Sequence, residues 1–281
     1  MIKWSGSAQA PIGFFDSGVG GLTVLKATKA MLPHENFIYF ADVKNLPYGN
    51  KSFHQIREYS LECLKVLRSY TPKCIVVACY TACVALETMV EYHDIPVILL
   101  WSSLAKSICA IQEERSRIGI WGTPAMICKN AHEKYIWQKG FTGTLYNIAC
   151  SQLAALIQEG DMKSPELALA IEKYLEEFTK KNLDVLVYGC THYPIIDALV
   201  AERNSSIHRL DPSSFVAQET YTLLEEKNLL NPSTNPGNVE WACRGDAFLF
   251  LSQLRKACET LSSTLDIVPE NDIKIDMPQS F

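Results

Sequence analysis

Two short segments hold the residue types best suited to chemistry: Ala78-Cys79-Tyr80-Thr81-Ala82-Cys83 and Tyr188-Gly189-Cys190-Thr191-His192-Tyr193-Pro194. Each follows an apolar run that reads as a buried strand, Cys74-Ile75-Val76-Val77 and Val185-Leu186-Val187. A thiol at the carboxyl end of a buried parallel strand sits where open α/β sheets place their ligands. One such thiol in each half of the chain suggests two halves that present one cysteine apiece to a shared cleft. Thiols on opposite sides of a carbon acid can invert it: one thiolate abstracts a proton and the opposite thiol returns one. An unperturbed cysteine titrates near about 8.5, so a modest shift lets such a pair hold one thiolate and one thiol. Asp16 is the candidate helper for one thiol, and His192, two residues past Cys190, for the other. A carbon acid as weak as an amino acid's α position also needs its carboxylate held and water excluded.

Blander uses compete. A buried cysteine is more often a small apolar filler than a catalyst, and Cys63, Cys74, Cys109, Cys128 and Cys258 are read that way. Cys83, four residues after Cys79, is expected to pack against the sheet. Cys79, Cys83, Cys190 and His192 are zinc-ligand types, but their spacing matches no common zinc motif. His34, His54, His93 and His208 sit among polar residues and are expected at the surface.

These residues require a β-α alternation to position them. Ile12-Gly13-Phe14-Phe15 reads as a first strand running into the turn Asp16-Ser17-Gly18-Val19-Gly20-Gly21 and a helix from Leu22. The turn lacks the third glycine of a dinucleotide fingerprint and the lysine of a P-loop. It is either a cradle for a carboxylate or phosphate or an incidental Gly-rich turn. Further strands are expected at 36–40, 96–100, 117–123, 144–148 and 207–210, and helices from Ser52, over 85–90, over 153–158, from Ser164 to about 181 and from 213. Trp241 to Asp246 is expected to begin a C-terminal element carrying Phe248, Leu249, Leu251 and Leu254. Alternating strands and helices mean parallel sheets covered on both faces.

Composition sets outer limits. The chain has 281 residues, with a formal net charge of -5. That length is enough for two ordinary domains. No basic cluster stands out, which argues against nucleic acid as the main partner. No apolar run approaches the roughly 20 residues that span a bilayer, and the start of the chain does not read as a signal peptide. The ten cysteines are scattered, which suggests a reducing, cytoplasmic setting.

At these residues the chain resembles the glutamate racemases, cofactor-independent members of the aspartate/glutamate racemase group. The matches are Ile12 to Val24, Pro47-Tyr48-Gly49, Ala78-Cys79 with Thr81, Ala149-Cys150 with Glu159-Gly160, Gly189 to Pro194, and Gly245-Asp246. The resemblance implies two flavodoxin-like parallel-sheet α/β domains with pseudo-symmetry and an active site at their interface. The first would comprise residues 1–100 with 211–268 and the second 101–210, leaving 269–281 as a polar tail. It implies interconversion of L- and D-glutamate without cofactor or metal, supplying D-glutamate for peptidoglycan, in a homodimer. By position Cys79 and Cys190 are the acid/base thiols, Asp16 and His192 their helpers, and Glu159 a further polar residue near the second thiol. Ser17, Pro47, Tyr48, Gly49, Tyr80, Thr81 and Thr191, with Asp16 and His192, would contact the substrate. One departure stands out: Tyr80 occupies a place where the family usually has asparagine. Tyr80 would turn out of the cleft, narrow it, or offer its hydroxyl to another ligand, so a racemase-fold binding protein or a shifted acidic amino-acid substrate is the alternative.

Overall fold

The computed structural model describes residues 6–111 and 116–261, with the backbone of 275–276. It begins with β1 (Ile12–Asp16), α1 (Leu22–Met31), β2 (Phe37–Ala41), α2 (Phe53–Ser69), β3 (Cys74–Val77), α3 (Tyr80–Ala85), β4 (Glu91–Tyr92), β5 (Ile95–Leu99) and α4 (Trp101–Cys109). There follow β6 (Arg117–Gly122), α5 (Pro124–Lys129), α6 (Ala131–Gln138), β7 (Thr144–Ala149), α7 (Leu153–Glu159), α8 (Pro165–Lys180), β8 (Val185–Gly189), α9 (Asp197–Arg203) and β9 (His208–Leu210). The chain closes with α10 (Ser213–Glu226), β10 (Val239–Cys243), α11 (Ala247–Leu261) and β11 (Ile275–Asp276).

The strands form two sheets, ordered β11-β10-β2-β1-β3-β5-β4 and β7-β6-β8-β9. Only the β4–β5 pairing is antiparallel among those described. β1, β2 and β3 are buried along their whole length, as a parallel sheet covered on both faces demands. In each sheet the order reverses at one strand. β1 lies between β2 and β3, and β6 lies between β7 and β8. Ligands of open α/β sheets bind beyond the carboxyl ends of strands at such switch points.

Register then fixes what meets there. Phe15 is opposite Val77, so two residues further on Ser17 comes level with Cys79. Gly122 is opposite Gly189, so the next residues, Thr123 and Cys190, are brought level. Both thiols thus project from the ends of strands flanking a switch point, one in each sheet.

Local signals explain most helix starts. Ser52 and Gln55 form a reciprocal capping box at α2, satisfying two amides that a helix start leaves free. Ser164 accepts from the Leu167 amide ahead of a proline in α8, where proline's missing N–H costs nothing. Two expectations need correction. The helix expected over 85–90 is α3, which begins directly after Cys79 and ends at Ala85. The Leu86 amide closes its final turn onto the Ala82 and Cys83 carbonyls, and Val90 beyond it is exposed. The segment expected to start one C-terminal element instead splits into β10 and α11. β10 pairs with β2, and Trp241 packs on Tyr39 with ring centroids 5.3 Å apart. That long-range pairing has no local periodicity to announce it. On α11, Phe250 and Leu254 are buried, while Phe248 and Leu249 are exposed, Leu249 at the edge of a cavity. The expected polar tail, 269–281, lies outside the described residues apart from Ile275–Asp276, which pairs with β10. No helix among the described residues is long and apolar enough to cross a membrane.

Candidate active site

A cavity of about 300 Å³ opens between the carboxyl ends of the two sheets, and both Cys79 and Cys190 line it. The thiols are 5% and 6% exposed. Cys79 lies 3.5 Å from the Ser17 hydroxyl. Burial, reinforced by the nearby Asp16 charge, pushes its thiol up to about 12, against hydrogen bonds from Ser17 and the Ala82 amide. Burial likewise pushes Cys190 well above the usual thiol range, with the His192 amide opposing and Cys79 and Asp16 adding to the rise. Burial thus favours the protonated form of both thiols.

Asp16 is fully buried and stands behind Ser17 rather than in the cavity wall. Its Oδ2 accepts from the amides of Gly18 (2.9 Å) and Gly21 (3.1 Å) and from the Tyr39 hydroxyl (3.2 Å). Its Oδ1 has no hydrogen-bond partner among the described residues. The Gly-rich turn thus wraps the chain's own carboxylate. Its glycines serve a second purpose, because a Cβ on Gly18 would fall 2.2 Å from Gln158 Oε1 and one on Gly20 2.3 Å from His192 Nδ1. Only glycine lets the second half of the chain come this close.

His192 is 4% exposed. Its Nδ1 lies 3.8 Å from Cys190 Sγ and its Nε2 2.8 Å from Gln158 Oε1. Burial lowers its pKa below the usual histidine value, and the Asp16 charge partly offsets that. The resemblance implies that Glu159 lies near the second thiol. Its side chain is exposed at the rim of the cavity that Cys190 also lines, and its carbonyl accepts from Lys256. Its neighbour Gln158 is the residue that reaches His192.

The loop carrying Pro47, Tyr48 and Gly49 forms another wall. Tyr48 donates to Asp42 Oδ2 at 2.5 Å, and Arg244 grips the same carboxylate through two bonds of 2.8 and 2.6 Å. A bidentate arginine–carboxylate pair fixes direction as well as distance, so the residue before Gly245-Asp246 steadies the loop from below. Thr81 shares a 2.9 Å hydroxyl contact with Thr123, a wall residue not foreseen from sequence. Thr191 is buried but outside the wall, and its carbonyl accepts from Thr23. Tyr80 neither leaves the cleft nor faces solvent: it is 3% exposed, lines the cavity, and packs on Trp101 with ring centroids 5.8 Å apart.

No lysine or arginine lines the cavity among the described residues. An anionic ligand would be held by hydroxyls and backbone amides. Nor do three or more His, Cys, Asp or Glu side chains converge as metal ligands among the described residues. Cys83 is occupied with the Val77 carbonyl and Leu100 amide. Cys63 and Cys74 are buried filler as expected, but Cys109 and Cys128 are exposed, near the ends of α4 and α5. Of the histidines expected at the surface, all four are exposed. The sixth, His132, is buried against Asn147.

A family model described as Asp/Glu/Hydantoin racemase matches residues 23–220. The glutamate racemase of Chlorobaculum tepidum is 41% identical over 231 residues, covering 81% of this chain and 84% of the relative. That of Herpetosiphon aurantiacus is 34% identical, covering 89% of this chain and 98% of the relative. The crystal structure of glutamate racemase from Francisella tularensis in complex with D-glutamate superposes with a TM-score of 0.80 at 30% identity, covering 96% of this chain and 98% of that one.

Proposed function

The chain belongs to the Asp/Glu/Hydantoin racemase family, and from that premise we propose that it interconverts L- and D-glutamate by two-thiol proton transfer at the α carbon. The observation that carries the proposal is the pair of buried thiols at the switch points of two different sheets, both facing one cavity. One thiolate removes the α proton, leaving a planar carbanion. The opposite thiol then delivers its proton to the other face, so the two cysteines exchange protonation states as the substrate inverts. Asp16 acts on the Cys79 side and His192 on the Cys190 side. Ser17, Thr81 and the 47–49 loop hold the substrate's carboxylates and ammonium, and Thr123 joins them. The relatives' activity as glutamate racemases and the D-glutamate complex of one of them support glutamate as the substrate.

The domain division is part of the same proposal: residues 1–100 with 211–268, and 101–210. The segregation of strands into two sheets supports it. A homodimer, a cytoplasmic location and supply of D-glutamate for peptidoglycan are carried by the family resemblance.

The test is incubation with L-glutamate in D₂O, following optical activity and α-deuterium together. The expected result is loss of optical activity with deuterium entering at the α carbon. A folded protein that binds glutamate and produces neither signal would overturn the proposal.

A further inference from the structure

The Gly-rich turn does more than seat Asp16. Gln158 is 6% exposed and has three partners on three different elements. Its Oε1 accepts from the Val19 amide at 3.0 Å, and its Nε2 donates to Gln253 on α11 at 2.6 Å. A backbone N–H can only donate, so Val19 settles which end of the amide is oxygen. That same oxygen faces His192 Nε2 at 2.8 Å. Two acceptors do not share such a contact, so Nε2 must carry the hydrogen, and in the neutral ring Nδ1 is left with its lone pair. Nδ1 is the nitrogen 3.8 Å from Cys190 Sγ. Gly18 and Gly20 hold the arrangement, since a side chain at either would displace Gln158 or His192.

We propose that Gln158 is a positioning residue that fixes His192 as the neutral Nε2–H tautomer, so that Nδ1 accepts the Cys190 thiol proton. This rests on the racemase reading for its consequence, not for its geometry. The step balances: the proton passes from Sγ to Nδ1, and the resulting thiolate takes the α proton. Cys79 gives its proton to the opposite face, leaving an imidazolium and a Cys79 thiolate. One proton passed through solvent from Nδ1 to Cys79 restores the resting state. An uncharged amide suits this role, because it orients the ring without stabilising the imidazolium in the resting enzyme. The groups that face His192 agree. α7 presents the neutral Gln158, α11 the neutral Gln253 beyond it, and β8 the Cys190 thiol. Asp16 at the end of β1 is the charge that acts on it.

The experiment compares wild type, Q158E and Q158M by the ¹⁵N resonances of the histidine rings through a pH titration, alongside the pH profile of kcat/KM. Wild type should show the Nε2–H pattern for His192 at neutral pH. Q158E keeps both acceptor contacts but supplies a carboxylate, so the His192 midpoint and the acid limb of kcat/KM should rise together by about one pH unit or more. At a fixed acid pH, activity should then fall about tenfold for each pH unit the midpoint rises. Q158M removes the acceptor, and its kcat should fall on the order of ten- to a hundredfold. Should Q158M fail to fold, Q158E still decides the matter. An Nδ1–H pattern in wild type, or a Q158E midpoint that does not move, overturns the proposal. Wild type that shows the Nε2–H pattern yet does not racemise glutamate upholds the tautomer and sinks the racemase reading alone.

Discussion

The two thiols occupy equivalent places in two sheets, yet they are served by different chemistry. At Cys79 the residue level with it across the switch point is Ser17, whose hydroxyl turns to the sulfur at 3.5 Å, with the Asp16 carboxylate behind. At Cys190 the equivalent residue is Thr123, but its hydroxyl contacts Thr81 at 2.9 Å and caps α5. The polar neighbour of Cys190 comes instead from its own strand end, as His192. A repeated β-α unit thus supplies the thiol twice and leaves the helper to be found locally, a carboxylate and hydroxyl on one side and an imidazole on the other. Both thiols are raised by burial, so burial is common to the two stations and the helpers make the difference.

The largest effect expected from disturbing this pair is on inversion itself. Cys79→Ser and Cys190→Ser should each reduce racemisation on the order of 10²- to 10⁴-fold, the usual weight of a positioned acid or base. The variants should differ in what survives. Each retains one thiol, so each should still exchange the α proton of one enantiomer with D₂O, and the two should favour opposite enantiomers. Mass spectrometry of glutamate recovered from each variant reads this directly. Exchange of the same enantiomer by both would mean that the thiols do not face opposite sides of the substrate.

A smaller effect is expected at Tyr80, which adjoins Cys79 in sequence but packs on Trp101. Tyr80→Asn removes a buried ring and should cost about 2–4 kcal/mol of stability through the void it leaves, measured by denaturant unfolding. Neither thiol loses a partner, so kcat/KM for glutamate should change by less than about tenfold. A rise of a hundredfold would favour the rival in which Tyr80 blunts catalysis and the protein mainly binds its ligand.

What sequence can disclose follows the same division between local and long-range causes. The cysteine-bearing strand ends, the Asp16 turn and the caps at Ser52 and Ser164 are local patterns, and the structure has them where the pattern puts them. Gln158 escapes notice because the family resemblance draws attention to Glu159 beside it. On α7 the buried residues are Leu153, Ile157 and Gln158. Gln158 is covered because the β1–α1 turn and α11 meet there, a tertiary fact with no signature in so short a helix. Arg244 is hidden for a similar reason: its partner Asp42 lies far back along the chain, in the loop after β2. β10 shows no strand signal of its own because its partner, β2, lies just as far back.

The smallest effect separates the two stations from the two exposed thiols without altering either. Cys109 and Cys128 are exposed, whereas Cys79 and Cys190 are buried, which pushes both of their thiols up. Only the thiolate is alkylated, and a raised pKa means that the thiolate fraction of both site cysteines is small at pH 7 and grows as pH rises toward the raised value. Iodoacetamide should therefore label Cys109 and Cys128 first at pH 7, and labelling at Cys79 and Cys190 should climb about tenfold per pH unit up to about pH 9. Peptide mapping by mass spectrometry resolves the four. Rapid labelling of Cys190 alone at pH 7 would mean that His192 already holds that thiol's proton in the empty site, as a standing thiolate–imidazolium pair. The asymmetry between the stations would then exist before substrate arrives, whereas slow labelling of both leaves it to appear only during turnover.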